Sequence, residues 1–88
     1  GEERRAALVL HRSLKLAGEL REAGERSAGR LRQAMTALIE LEPLATIDYV
    51  SVADVRTLEE LDTIVGPALI SLAVRIGKTR LIDNTILE

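Results

Sequence analysis

The sequence predicts an α+β fold: a two-helix antiparallel hairpin packed on a small, mainly antiparallel three-stranded sheet. Three observations carry this. Through residue 41, apolar side chains recur at three- and four-residue steps, the period of a helix. After Pro43 that period disappears, and β-branched residues crowd 45–52 and 67–76. A Gly-Lys pair then divides the last apolar run from a shorter one, as a tight hairpin turn does. At 88 residues the chain is one domain, 1–88, burying roughly 60–65% of its unfolded surface.

Residues 2–23 form the first helix. Ala6, Val9, Leu10, Leu14, Ala17 and Leu20 make one apolar stripe, with Arg12, Lys15, Glu19 and Glu22 opposite. Glu2 and Glu3 sit in the first turn, where the helix dipole favours negative charge. Gly24 ends the helix in a left-handed conformation, and Ser27 caps the next. Leu31, Ala34, Met35, Leu38 and Leu41 are the expected apolar face of the second helix, and Pro43 stops it. The short polar turn between the helices makes them antiparallel neighbours.

Residues 45–52, "ATIDYVSV", read as the first strand. "ADVRTLEELDTIVG" is a polar connection, with one helical turn expected near Thr57, whose spacing to Glu60 is that of a capping box. "PALISLAVRI", 67–76, is nearly all apolar, the pattern of a strand covered on both faces. Gly77 supplies the positive φ of a type II′ turn with Lys78, and "TRLID" returns as the partner strand.

Composition excludes several functions. Tyr49 is the only aromatic residue, so there is no base-stacking platform, and a net charge of −2 gives no basic excess for nucleic acid. No cysteine is present, hence no disulfide framework or thiolate zinc site. No run of about 18 apolar residues and no signal-like start point to a membrane or to export.

Gly77-Lys78-Thr79 invites comparison with the end of a phosphate-binding loop. The first glycine of G-x-x-x-x-G-K-[ST] falls on Leu72, and the residues after Thr79 do not read as a helix. His11 has no carboxylate at helical spacing, since positions 7, 8, 14 and 15 are Ala, Leu, Leu and Lys, and reads as a surface residue. Asp48, Asp54, Asp62 and Asp83 show no spacing that makes them converge on a metal. Arg80 and Asp83 flank apolar positions in the last strand and are expected as a buried ion pair holding register or a domain contact. Gly77, Arg80 and Asp83 are therefore structural candidates, with no catalytic, cofactor-binding or metal-binding residue assigned.

Four stretches resemble one family. "EERRAAL" (2–8), "EPLATIDYVSVADVRTLEELD" (42–62), "GPALISLAVRIGKTRLIDN" (66–84) and its closing "GKTRLIDN" are similar to the C-terminal end of pantothenate synthetases, the pantoate–β-alanine ligases. The resemblance implies that family's C-terminal domain, two helices against a short antiparallel sheet, which closes as a lid over the active site. It further implies a cytoplasmic parent enzyme that joins pantoate to β-alanine through a pantoyl-adenylate, using ATP and Mg²⁺ bound elsewhere. The family's His-x-Gly-His and Ser-Ser-Arg-Asn motifs are absent here, and Gln33 is the only glutamine. No catalytic residue is carried over, and the fragment alone is expected to be inactive and without cofactor. Gly1 reads as the remnant of a cut at a domain boundary. The expected partners are the N-terminal domain of the same enzyme and, through apolar surface left bare, a second copy of the fragment.

Overall fold

The computed structural model describes all of residues 1–88. The elements run α1 (Glu2–Glu22), α2 (Ala28–Glu40), β1 (Ala45–Asp54), β2 (Ala68–Ile76) and β3 (Thr79–Leu87). The sheet is antiparallel in the order β1-β2-β3, with α1 against β2 and β3 and α2 against β1. The α+β class and the helical hairpin are as predicted.

In α1, Ala6, Leu10, Ser13 and Ala17 are buried, one row at three- and four-residue steps. Ser13 tolerates burial because its hydroxyl donates to the Val9 carbonyl at 2.8 Å. Gly24, at φ +100°, closes a Schellman cap in which its N–H donates to Arg21 and that of Glu25 to Leu20. Ser27 caps α2 by accepting the Arg30 N–H at 3.2 Å. The buried row of α2 is Ala28, Leu31, Met35 and Ile39. This corrects the predicted face: Leu41 is 78% exposed at the C-cap, while Ile39 is fully buried. The four-residue row from Leu31 through Met35 leads to Ile39, so that residue keeps facing the sheet.

β2 is the central strand. Ala68, Ile70, Leu72, Val74 and Ile76 point to the helices and are buried. The other face of the sheet has no second layer, which corrects the expectation of two covered faces. Ala73 is hidden there because Tyr49 and Ile82 stand on either side of it in the register, and Leu69 is half-buried. An apolar strand is thus explained by its central place rather than by a second layer.

The connection between β1 and β2 holds the one helical turn expected near Thr57, an uncontinued α-turn closed by the Leu58 N–H on the Asp54 carbonyl at 2.8 Å. Asp54 accepts the N–H groups of Arg56 and Thr57 on Oδ1 (2.8 and 3.0 Å) and exchanges backbone bonds with Leu58 and Glu59. Leu58 takes φ +64° at the tip of this turn. The Thr57 hydroxyl accepts the Glu59 N–H, and Glu60 turns back to β1, so the expected capping box is not formed. Further on, Ala28 donates to Asp62 and Ile64 to Arg26, pinning the buried Ile64 beneath the helical hairpin.

Candidate functional site

Two polar clusters decorate the sheet. The first arises from a β-bulge. Register shifts between Ile47 and Tyr49, leaving Asp48 without a partner on β2. A bulge bends the strand and re-aims its side chain. Here the Asp48 carboxylate reaches Arg80 Nε at 2.6 Å and Arg75 Nη2 at 3.5 Å. Arg75 and Arg80 are direct cross-strand neighbours on β2 and β3, an arrangement in which like charges repel. Asp48 relieves that repulsion. The Arg80 hydrogen bond, opposed by partial desolvation and aided by Arg75, holds its carboxyl below the ordinary value of 3.8.

The expected Arg80–Asp83 pair is not present. Side chains three apart on a strand point to opposite faces, so Arg80 lies on the open face and Asp83 on the helix side. Both residues are exposed, and Asp83 Oδ1 accepts the N–H of Asn84 at 2.8 Å. The period-two rule applied to positions 80 and 83 is the signal that separates them. Asp48 gives no such signal, because nothing in "TIDYV" marks a bulge.

Gly77 stands where predicted, in a two-residue turn joining Ile76 and Thr79. Its φ is +59° and Lys78 is not in the left-handed region, the pattern of a type II′ turn. The Glu2 carboxylate lies over the turn and accepts the Lys78 N–H at 3.4 Å; a Cβ on Gly77 would meet it at 2.5 Å. A carboxylate on this turn and a strand after it are the opposite of a phosphate cradle.

The second cluster joins Ser51, Glu60 and Arg32. The Ser51 hydroxyl donates to Glu60 Oε2, and the Val52 N–H and Arg32 both donate to Oε1. Desolvation raises the Glu60 carboxyl, but the Ser51, Val52 and Arg32 bonds together outweigh it and hold it below its ordinary 4.5. A carboxylate so stabilised is a poor base for its serine, so the cluster is a brace rather than a nucleophile. His11 is exposed on α1. No group of three or more His, Cys, Asp or Glu side chains converges to hold a metal ion, and Asp48, Asp54, Asp62 and Asp83 lie apart. No helix is long and apolar enough to cross a membrane.

The profile of the family described as Pantoate-beta-alanine ligase matches residues 1–86. Pantothenate synthetase of Pelotomaculum thermopropionicum is 62% identical over 86 residues, covering 98% of this chain and 30% of that protein. The pantothenate synthetase of Roseiflexus sp. is 61% identical over 87 residues, covering 99% and 31%. The crystal structure of pantothenate synthetase from Thermus thermophilus superposes with a TM-score of 0.84 at 31% identity, over 96% of this chain and 30% of that one. The chain spans about 30% of the length of the relatives it matches, at their C-terminal part. On the match across residues 1–86, the chain belongs to the pantoate-beta-alanine ligase family.

Proposed function

We propose that this chain is the lid domain of an ATP-dependent ligase that condenses pantoate with β-alanine through a pantoyl-adenylate to form pantothenate, and that it is inactive by itself. The observation that carries this reading is a family match over nearly the whole chain that spans only about 30% of the full-length synthetases. A lid excludes water, so that an acyl-adenylate meets the amine before it is hydrolysed. Its partner is the remainder of the same cytoplasmic enzyme.

ATP and Mg²⁺ do not fit the residues present. Lys78 stands in a hairpin turn beneath a carboxylate, and no three acidic side chains converge. No step of the reaction is assigned to this chain's own side chains. The test compares the intact synthetase with the same enzyme lacking this domain, following AMP and pantothenate together. The expected result is that truncation lowers pantothenate formed per AMP, and equal ratios at equal rates overturn the reading.

A second reading, a non-enzymatic self-association module, is favoured by one observation. Tyr49, Ile82 and Ile86 on the open sheet face are 40%, 54% and 53% exposed.

A further inference from the structure

The two edges of the sheet are finished differently. At β1, the Asp48 bulge breaks the edge, and the loop after the strand covers it: Leu61 donates to the Val52 carbonyl, Glu60 accepts the Val52 N–H, and Asp54 donates to Glu59. These are devices that keep an edge from pairing with another chain. β3 has no bulge, no proline and nine regular residues, Thr79–Leu87. A groove lined by His11, Leu14, Lys15, Asp83, Thr85 and Leu87 runs between α1 and this strand, leaving the edge uncovered.

The ladder phase says which groups that edge offers. Ile76 and Thr79 close the two-residue turn and form a hydrogen-bonded pair, so the alternation of an antiparallel ladder turns the N–H and C=O groups of Arg80, Ile82, Asn84 and Ile86 outward. The Asn84 N–H agrees with this phase, since it bonds to the Asp83 carboxylate rather than to β2.

We infer that β3 pairs with β3 of a second copy of this chain, antiparallel about a two-fold axis at Asn84. This register sets Arg80 against the partner's Glu88, Leu81 against the partner's Leu87 and Ile82 against the partner's Ile86. Asp83 meets the hydroxyl of the partner's Thr85, and Asn84 meets the partner's Asn84 on the axis. Every pair is complementary in charge, polarity or apolar character. Moving the axis to Asp83 opposes two carboxylates, and moving it to Ile82 sets Leu81 against the partner's Asp83. Only the Asn84 register satisfies the strand. Glu88 is free for this role, because the chain's ion pairs are Arg5–Glu42, Arg30–Glu25, Arg32–Glu60, Arg75–Asp48 and Arg80–Asp48. Paired this way, two three-stranded sheets become one of six, with the exposed Ile82 and Ile86 of both copies adjoining on the open face. This inference rests on the self-association reading and not on the lid reading.

The test uses the 88-residue chain itself. A single-strand contact is small, so sedimentation equilibrium over roughly 10–500 µM is the range in which mass rises from 9.6 kDa towards twice that value. Asn84→Pro removes an outward N–H and no bond to β2, and is expected to raise the dissociation constant about tenfold or more. Glu88→Arg lies outside every helix and strand, and is expected to weaken pairing severalfold through repulsion with the partner's Arg80. Register is read by cross-linking, as the chain has no cysteine of its own. Asn84→Cys brings two Cα atoms to about 5.5 Å across the axis and forms a disulfide dimer on oxidation. Ile82→Cys, whose neighbour is the partner's Ile86, forms far less. A monomer throughout the range, a dimer untouched by Asn84→Pro and Glu88→Arg, or equal cross-linking by the two cysteines overturns the proposal.

Discussion

Arg32 grips Glu60 through two nitrogens, Nε at 3.2 Å and Nη2 at 3.0 Å, both on Oε1. The same Nη2 donates to the Leu61 and Val52 carbonyls at 2.6 and 3.0 Å, so one side chain of α2 holds the end of β1 and the loop beyond it. Arg32→Ala is expected to lower stability by about 1–2 kcal/mol, mostly through the orphaned Leu61 carbonyl, since the Val52 carbonyl keeps the Leu61 N–H, with the half-exposed Glu60 contributing the smaller share. Arg32→Lys recovers less than half, because a single ammonium cannot reproduce the fork. Urea unfolding of the three proteins measures both numbers, and full recovery by lysine contradicts the account.

Acid weakens this domain through three carboxyls. Asp48, Asp54 and Glu60 all have folded pKa values below the ordinary 3.8, 3.8 and 4.5. For Asp54 the causes are the Thr57 and Arg56 backbone N–H bonds, which exceed its desolvation. A depressed carboxyl stabilises the fold above its unfolded pKa, and that stability is lost as pH falls through the folded value. The urea midpoint should therefore stay level from neutral pH down to the ordinary carboxyl range and drop below it. In Asp54→Asn and Glu60→Gln the drop should be shallower, and an unchanged acid limb in both counts against these assignments.

Gly77→Ala isolates the backbone at the β2–β3 turn. Alanine at φ +59° is expected to cost about 1 kcal/mol, and Gly77→Asn roughly half that, since asparagine tolerates the left-handed region better. The Glu2 carboxylate over the turn is the end of a flexible side chain and can swing aside, so Glu2→Ala in the alanine background should restore little. Thermal melts of the four proteins decide between backbone and steric cost.

Ile39 and Leu41 separate core from surface within three residues. Ile39→Ala should cost about 2–5 kcal/mol, as expected for a fully buried aliphatic, and Leu41→Ala under about 0.5 kcal/mol. Comparable losses at both positions, by chemical denaturation, show that α2 is rotated from the orientation described.

Calorimetric titration with Mg-ATP is expected to give no heat of binding for this chain or for Lys78→Ala. Saturable binding abolished by the substitution is the result that restores the phosphate-loop reading of Gly77-Lys78-Thr79.

Local signals in the sequence locate the elements well. Gly24, Ser27 and Gly77 act through backbone rules that need no knowledge of distant residues, and each stands where those rules put it. The β2 run is legible for the same reason, although its apolar character reflects strand order rather than two covering layers. Contact between residues remote in sequence is a different matter. Asp48 reaches Arg80 only because a bulge turns it, and Glu60 finds Ser51 and Arg32 only after the loop folds back. The Arg80–Asp83 expectation fails on a local rule, the alternation of strand faces. The open sheet face is invisible in the sequence, because a single chain does not say which half-apolar surface a helix covers.

α1 rests on β2 and β3, which follow it in the chain, and Glu2 meets Lys78 across 76 positions of sequence. During synthesis, therefore, the first helix waits with much of its apolar row bare until the β2–β3 hairpin emerges from the ribosome. A stalled or prematurely ended chain lacks the sheet surface that completes the cover over Ala6, Leu10 and Ala17.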